Sequence, residues 1–186
     1  MKNIYDFEMR DYKGKTFSFK QFKGMVIIVV NVASKCGLSN SSYERMKTIY
    51  HEHQNVIFVL CPCKQFLNQE HDHPEDIADF VSDKMGIKKE NISSSTDIQH
   101  QHVKEIKRVI LTEPIQVKGE HIHPVYEFLT NEKGGWLTNS IKWNFSSFLI
   151  SSQGEVLKRY SPMDFIQAHD KKLIEACRDA TGSNEF

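Results

Sequence analysis

Apolar residues along the chain form two kinds of pattern, continuous runs and helical stripes. Residues 25–32 and 56–61 are nearly uninterrupted, β-branched apolar runs, which are typical of strands covered on both faces of a sheet. Between them, apolar side chains recur at helical spacing from Tyr43 to Tyr50, and Ser41 and Glu44 predict a capping box at the helix start. A strand, a helix and a strand of these lengths predict a βαβ unit with parallel strands and a right-handed crossover.

The remaining pattern predicts two hairpins and four further helices. The first hairpin is residues 5–24, turning at 12–15, and the second is residues 145–160, turning at 152–155. One helix begins at Pro74 and stops at Gly86, a second carries Val103, Ile106 and Ile110 on one side, and a third runs from Pro124 to Leu129. The last helix spans about 168–180, with Leu173, Ile174, Cys177 and Ala180 buried. No repeat or linker divides this pattern. We therefore expect one compact α/β domain over residues 1–186.

Composition and charge exclude several classes of protein. The 186 residues contain 24 Lys and Arg and 24 Asp and Glu. Because nucleic-acid binding needs a basic surplus, this balance argues against a nucleic-acid partner. No apolar run approaches the ~18 residues of a transmembrane segment, and the start of the chain has no apolar signal core. We therefore expect a cytoplasmic, reducing location, in which four cysteines are not a disulfide framework.

Candidate chemistry follows the two buried strands. Functional groups of a parallel α/β sheet collect beyond the carboxyl ends of its strands, and Cys36 and Gln65 lie in the two loops that begin there. Cys36 also precedes a helix start and is adjacent to Lys35, both of which favour a thiolate. A buried, inert thiol is the usual state of a free cysteine. The position of Cys36 in a loop beside Lys35 and Gly37 favours the reactive interpretation.

Several separated motifs resemble the glutathione peroxidase family in its cysteine-containing form. They are residues 31–37 (Asn-Val-Ala-Ser-Lys-Cys-Gly), 62–66 (Pro-Cys-Lys-Gln-Phe), 68–70 (Asn-Gln-Glu) and 142–145 (Lys-Trp-Asn-Phe), with weaker matches at 123–126, 148–154 and 159–162. The resemblance implies a thioredoxin-like fold with an N-terminal β-hairpin and a central mixed sheet flanked by helices. It also implies a peroxidase that takes part in antioxidant defence and the response to oxidative stress.

The same resemblance implies roles for individual residues. Cys36 would be the peroxidatic nucleophile, and Gln65, Trp143 and Asn144 would complete a tetrad of neutral hydrogen-bond donors. The thiolate would reduce hydrogen peroxide or an organic or lipid hydroperoxide and become a sulfenic acid, which thiols reduce back. No metal and no prosthetic group are implied, and glutathione or thioredoxin would act as co-substrate.

Departures from the family pattern bear on the reductant. Members that use thioredoxin carry a resolving cysteine on the helix after the Gln loop, and the corresponding residue here is Val81. Glutathione is therefore favoured, although Cys61 or Cys63 acting as a substitute resolver stays open. Lys64 replaces the usual Asn before Gln65, so Lys64 and Lys35 are candidates for binding an anionic thiol substrate.

The lengths of two segments of this chain can also be compared with the family pattern. Residues 87–108 exceed the usual length and predict a surface insertion in the domain. The short stretch between Pro124 and Trp143 resembles the phospholipid-hydroperoxide type, which implies a monomer or weak dimer with an open site.

Two rival functions stay open. Eight of the nine histidines fall in His-x-His pairs, namely His51/His53, His71/His73, His100/His102 and His121/His123, which together with Cys61 and Cys63 suggest metal binding. No pair has a third ligand at usual spacing, so this alternative is disfavoured. A peroxide sensor of the same fold, which passes its oxidation to a partner, is the second rival.

Overall fold

A computed structural model describes residues 2–92, 107–135 and 138–182 of the chain. Its strands are β1 (Glu8–Arg10), β2 (Thr16–Ser18), β3 (Val26–Val32), β4 (Val56–Pro62), β5 (Val109–Leu111), β6 (Ser147–Ile150) and β7 (Val156–Tyr160); its helices are α1 (Ser39–Glu52), α2 (Pro74–Met85), α3 (Pro124–Glu132) and α4 (Lys171–Gly182). β1 and β2 form a separate antiparallel hairpin, and the other strands form a mixed sheet in the order β5-β4-β3-β6-β7.

The sheet is covered on both faces, as the continuous apolar runs predicted. Every residue of β3 and β4 is buried. Successive side chains of a strand point to opposite faces, so Val26, Ile28 and Val30 join one core with side chains of α1, α2 and α4. Ile27 and Val29 join the second core, which includes side chains of α3 and the β1–β2 hairpin.

The predicted βαβ unit and both predicted hairpins are confirmed. β3 pairs with β4 in parallel, from Val26 opposite Val56 to Val32 opposite Pro62, and β6 pairs with β7 in antiparallel fashion. Pro74 is the first residue of α2, and Gly86 ends that helix in the left-handed conformation at φ 65°. The predicted helix from Pro124 is present as α3.

The predicted capping box at Ser41 and Glu44 is wrong. α1 begins earlier, at Ser39, after Leu38, whose side chain makes no capping hydrogen bond. The main chain turns at Cys36, where Ser39 N donates to Cys36 O at 2.9 Å, and this turn starts the helix two residues before Ser41. Ser41 therefore lies in the first turn, and its hydroxyl donates back to Leu38 O at 3.1 Å.

Three other sequence predictions are corrected by the structure. Ile110 belongs to β5 rather than to a helix, because Val109, Ile110 and Leu111 pair in parallel with β4. Val103 and Ile106, assigned to the same helix, lie outside the described residues. On α4 the buried residues include Leu173, Cys177 and Ala180, whereas Ile174 is 37% exposed. α4 also begins at Lys171 rather than at about residue 168.

The predicted insertion at about residues 87–108 stays a prediction, because residues 93–106 lie outside the described part of the chain. Within the described ranges, no helix has the length and apolar character that crossing a bilayer requires.

Candidate active site

Three segments that carry the predicted site residues meet at one edge of the sheet. The loop 33–38 follows β3 and the loop 63–73 follows β4, and the two strands end side by side because they are parallel and in register. The segment 139–146 precedes β6. Because β6 is antiparallel to β3, with Ser147 opposite Val30, its beginning lies at the same edge.

Cys36 lies in a tight turn between β3 and α1. Its main-chain N donates to Ala33 O at 3.3 Å, and its carbonyl accepts from Ser39 N. The Cys36 side chain is buried, with 6% of the residue exposed, and it belongs to the core on the α1 face of the sheet. Its Sγ makes no hydrogen bond within the described ranges. Lys35, beside it, is exposed.

The side-chain amide of Gln65 is held by the segment that follows β5. Its Oε1 accepts from Val117 N at 2.7 Å and from Lys118 N at 3.2 Å. Its Nε2 donates to Lys118 O at 2.9 Å. The Cys63 thiol lies 3.7 Å from the same Oε1. These donors determine which end of the amide is oxygen, so Nε2 is the end that carries hydrogens.

Hydrogen bonds hold the segment of Trp143 and Asn144 against the end of β3. The Asn31 side chain donates to Trp143 O at 3.1 Å, and Asn31 O accepts from Phe145 N at 2.6 Å. Phe145 is buried and has φ 64°, the left-handed region that few non-glycine residues adopt. This conformation turns the chain from the site segment into β6.

The two side chains have different surroundings. The Trp143 ring packs against Phe66 of the neighbouring loop, with 5.7 Å between ring centroids. Trp143 is half-buried, and its indole N–H has no hydrogen bond within the described residues. Asn144 is fully buried, and its Nδ2 donates to Gln69 Oε1 at 3.1 Å.

Gln69 and Glu70 connect these segments, a role that sequence analysis missed. The main-chain O of Gln69 accepts from Lys35 N at 2.8 Å, and its side chain accepts from Asn144. The buried Glu70 carboxylate accepts from Ser34 N at 3.0 Å and from His71 N at 2.9 Å. The signal was present in the sequence, because both residues lie in the motif at 68–70.

The structure thus brings the loop of Cys36 and the side chain of Asn144 to one bridging residue, Gln69, and packs Trp143 against Phe66 in the loop of Gln65. It does not join them directly to the sulfur. Within the described ranges, Cys36 Sγ has no hydrogen bond to Gln65, Trp143 or Asn144, and the Gln65 amide is engaged by residues 117–118.

The other three cysteines are poor nucleophiles in this fold. Burial raises the pKa of Cys61 to about 12 and that of Cys177 to about 11. Burial also raises the pKa of Cys63, against hydrogen bonds from the main chain that lower it. All four cysteines are free, and Cys61 and Cys63 are fully buried. Since the thiolate is the reactive form, these three thiols are expected to be inert at neutral pH.

Of the two candidate substrate-binding lysines, Lys35 is exposed, whereas Lys64 has an acidic partner. Lys64 is paired with Asp72, with 2.5 Å between Nζ and Oδ1. The hydrogen bond from Lys64 holds the pKa of the Asp72 carboxyl below its ordinary value. An open pocket of about 370 Å³ lies beside this loop, lined by Lys64, Gln65, Pro114, Ile115 and Gln116.

Described histidines of the His-x-His pairs include two with hydrogen bonds inside the fold. The ring Nε2 of His53 lies 2.7 Å from Ala168 O, and Nδ1 of His123 accepts from Val125 N at 3.2 Å, where His123 caps α3. Within residues 2–92, 107–135 and 138–182, no group of three or more His, Cys, Asp or Glu side chains is arranged to hold a metal ion. His100 and His102 lie outside the described residues.

Comparison with known proteins gives consistent matches. The glutathione peroxidase family model matches residues 4–106. "Probable glutathione peroxidase 2" of Arabidopsis thaliana is 36% identical over 182 residues, which cover 97% of this chain and 96% of that protein. "Probable phospholipid hydroperoxide glutathione peroxidase" of Solanum lycopersicum is 37% identical over 163 residues, or 87% of this chain and 85% of that protein.

The fold is similar to that of a solved relative. The crystal structure of GPX1 from T. cruzi is 28% identical and superposes with a TM-score of 0.69, covering 95% of this chain and 97% of that chain. Together with the observed mixed sheet, its flanking helices and the N-terminal strand pair, this match confirms the thioredoxin-like fold that the motifs implied.

Proposed function

Because this chain belongs to the glutathione peroxidase family and is a peroxidase, we propose that it reduces hydrogen peroxide and organic hydroperoxides at Cys36, with glutathione as its reductant. Gln65, Trp143 and Asn144 are proposed to bind and polarise the peroxide. No metal or prosthetic group takes part in this proposal, and glutathione is a co-substrate.

One observation carries the proposal: Gln69 links the main chain beside Cys36 to the side chain of Asn144. Lys35 N donates to its carbonyl at 2.8 Å, and Asn144 donates to its Oε1 at 3.1 Å. Two motifs that are 108 positions apart, from 36 to 144, therefore share one short connection. Trp143, on the segment that precedes β6, supplies a neutral indole N–H at the same edge of the sheet.

The proposed chemistry suits donors of this kind. The Cys36 thiolate attacks one peroxide oxygen, the O–O bond breaks, and the leaving oxygen departs as an alkoxide or hydroxide that takes up a proton. Cys36 is oxidised to a sulfenic acid and the peroxide is reduced to an alcohol or water. Amide and indole N–H groups stabilise the charge on the leaving oxygen without giving up a proton of their own.

The proposed reductant follows from the surroundings of the other thiols. A sulfenic acid condenses with a thiol to form a disulfide and water, and a second thiol then releases Cys36. Cys61 and Cys63 are fully buried, and burial raises their pKa values. The family resemblance implies that Val81 stands at the position of the resolving cysteine. A small external thiol is therefore favoured over an internal one. Lys35, and Lys64 despite its partner Asp72, would attract the carboxylates of glutathione.

Bulky hydroperoxides are the proposed organic substrates. The pocket beside Gln65 contains apolar Pro114 and Ile115 as well as polar side chains, which suits a molecule with an apolar part. The tomato relative is named for phospholipid hydroperoxides, in keeping with this substrate class. A monomer or weak dimer, a cytoplasmic location and a role in the response to oxidative stress are retained as parts of the proposal.

A coupled assay tests the proposal. Purified protein is incubated with hydrogen peroxide, or with an organic hydroperoxide, and with either glutathione or a thioredoxin system. We expect sustained turnover with glutathione and a much lower rate with thioredoxin. Faster turnover with thioredoxin would overturn the assignment of the reductant. A single oxidation of Cys36 without turnover by either thiol, followed by a mixed disulfide with another protein, would favour the peroxide sensor.

A further inference from the structure

Asn144 is a buried side chain whose amide has one identified partner. It is fully buried, its Nδ2 donates to Gln69 Oε1 at 3.1 Å, and its Oδ1 has no hydrogen-bond partner in the part of the chain that the structure describes. Among the described residues, the bond to Gln69 is therefore the one side-chain hydrogen bond that orients the carboxamide of Asn144.

Gln69 itself is anchored beside the proposed nucleophile. Its main-chain O accepts from Lys35 N at 2.8 Å, and the adjacent Glu70 carboxylate accepts from Ser34 N at 3.0 Å. Both donors belong to the loop that carries Cys36. Gln69 thus contacts the Cys36 loop through its carbonyl and the Asn144 amide through its side chain.

We propose that Gln69 is a positioning residue for peroxide reduction, which acts by orienting the Asn144 amide relative to Cys36. This inference rests on the proposed function, because it needs Asn144 to take part in the reaction. Gln69 touches neither the sulfur nor the substrate in this assignment. Its contribution is to keep a free N–H of Asn144 directed at the place where charge develops on the peroxide oxygen.

A double-mutant cycle tests the inference. Gln69→Met keeps the length of the side chain and the main-chain bond to Lys35 but removes the acceptor for Asn144. The pre-reduced protein is mixed with hydrogen peroxide, and the second-order rate constant of the first oxidation is measured for the unaltered chain, Gln69→Met, Asn144→Ala and the double variant. If the alanine variant does not fold, Asn144→Asp, which has the same size and lacks the amide donor, replaces it in the cycle.

We expect Gln69→Met to lower the rate constant by about 10-fold, as a misplaced catalytic group does. In the Asn144→Ala background the same substitution is expected to change nothing further, because its effect passes through the missing amide. Gln153→Met, at an exposed glutamine in the β6–β7 turn, is the matched control and should react like the unaltered chain.

The outcomes separate the inference from the proposed function. Independent, multiplicative effects of the two substitutions, or no effect of Gln69→Met, would show that Gln69 does not act through Asn144 and would overturn the inference while leaving the peroxidase intact. A second overturning outcome is that Gln69→Met melts at a lower temperature and regains the full rate constant when it is cooled below that temperature. The loss of rate would then come from unfolding rather than from a misplaced amide. If the unaltered chain does not react with peroxide, the proposed function fails first and the inference falls with it.

Discussion

The carboxamide of Gln65 pairs with the main chain of Lys118 much as one peptide group pairs with another. Oε1 of Gln65 accepts from Lys118 N at 3.2 Å, and Nε2 donates to Lys118 O at 2.9 Å. Lys118 contacts the loop of Gln65 a second time, because its Nζ lies 4.4 Å from the centroid of the Phe66 ring. A residue proposed for catalysis thus also fastens the chain after β5 to the site.

Gln65→Ala is expected to lower kcat/KM for peroxide by about 10-fold or more, the order of loss seen when a donor to a developing oxyanion is removed. Because the substitution also removes the acceptor for the main-chain N–H of the buried Val117, we expect the free energy of unfolding to fall by about 1–3 kcal/mol. Steady-state kinetics and urea unfolding measure the two effects.

Gln153→Ala is the control for this prediction. Gln153 is an exposed glutamine in the turn between β6 and β7 and is not among the residues that line the pocket beside Gln65. We expect the kinetics of this variant to stay close to those of the unaltered chain. Equal rate losses in both variants would argue against a specific role for the Gln65 amide.

Cys36→Ser is expected to abolish peroxide consumption without unfolding the protein. The serine hydroxyl is similar in size to the thiol but is a far weaker nucleophile at neutral pH, so the O–O bond is not attacked. The measurements are peroxide consumption with glutathione and the melting temperature. Cys177→Ser, at a cysteine on α4, is the matched control and should retain activity. Persistent turnover in Cys36→Ser would remove Cys36 from its proposed role.

Oxidation by one equivalent of peroxide is expected to give no intramolecular disulfide. Burial raises the pKa of Cys61 to about 12 and that of Cys177 to about 11, so both are thiols rather than thiolates at neutral pH. Intact-mass analysis should show the gain of one oxygen, and added glutathione should convert it to a mixed disulfide. A loss of two hydrogens instead, mapped by peptide analysis to Cys36 and Cys63, would identify Cys63 as a substitute resolver.

Asp170→Ala is expected to destabilise the fold in a pH-dependent way. Asp170 Oδ1 accepts from Lys172 N at 2.9 Å and Leu173 N at 3.2 Å at the start of α4, and from Tyr160 Oη at 2.8 Å. Loss of such a cap costs about 1 kcal/mol. Partial burial raises the pKa of the carboxyl, but the bond from Tyr160 and the other interactions outweigh it and lower the pKa overall.

The sign of the pH dependence follows from that lowered pKa. The unfolded carboxyl takes up its proton first, near pH ~3.9, so the stabilisation is complete above that value and is lost as pH falls through the folded pKa. Urea unfolding should therefore show a larger difference between the unaltered chain and Asp170→Ala at neutral pH than in acid. A difference that grows on acidification would contradict this account.

Sequence patterns predicted elements well where the determinants are local. The apolar runs of β3 and β4 and the turn residues of both hairpins act over a few neighbouring positions, and these elements were predicted. Ile110 was not, because three apolar residues suit a strand or a helix equally and the pairing with β4 decides between them. The start of α1 was missed since it depends on the turn at Cys36 rather than on Ser41.

The amino-acid sequence by itself determined the βαβ unit, the two loops at the carboxyl ends of its strands, and the chemistry-bearing residues in those loops. Only the tertiary structure decided their partners: Gln65 with residues 117–118, Asn144 with Gln69, and Ser34 with Glu70. These partners are 52 or 53, 75 and 36 positions apart in the chain. The physical reason is that periodicity reports which face of an element is buried, whereas a hydrogen bond between loops depends on where packed strands bring distant main-chain groups together.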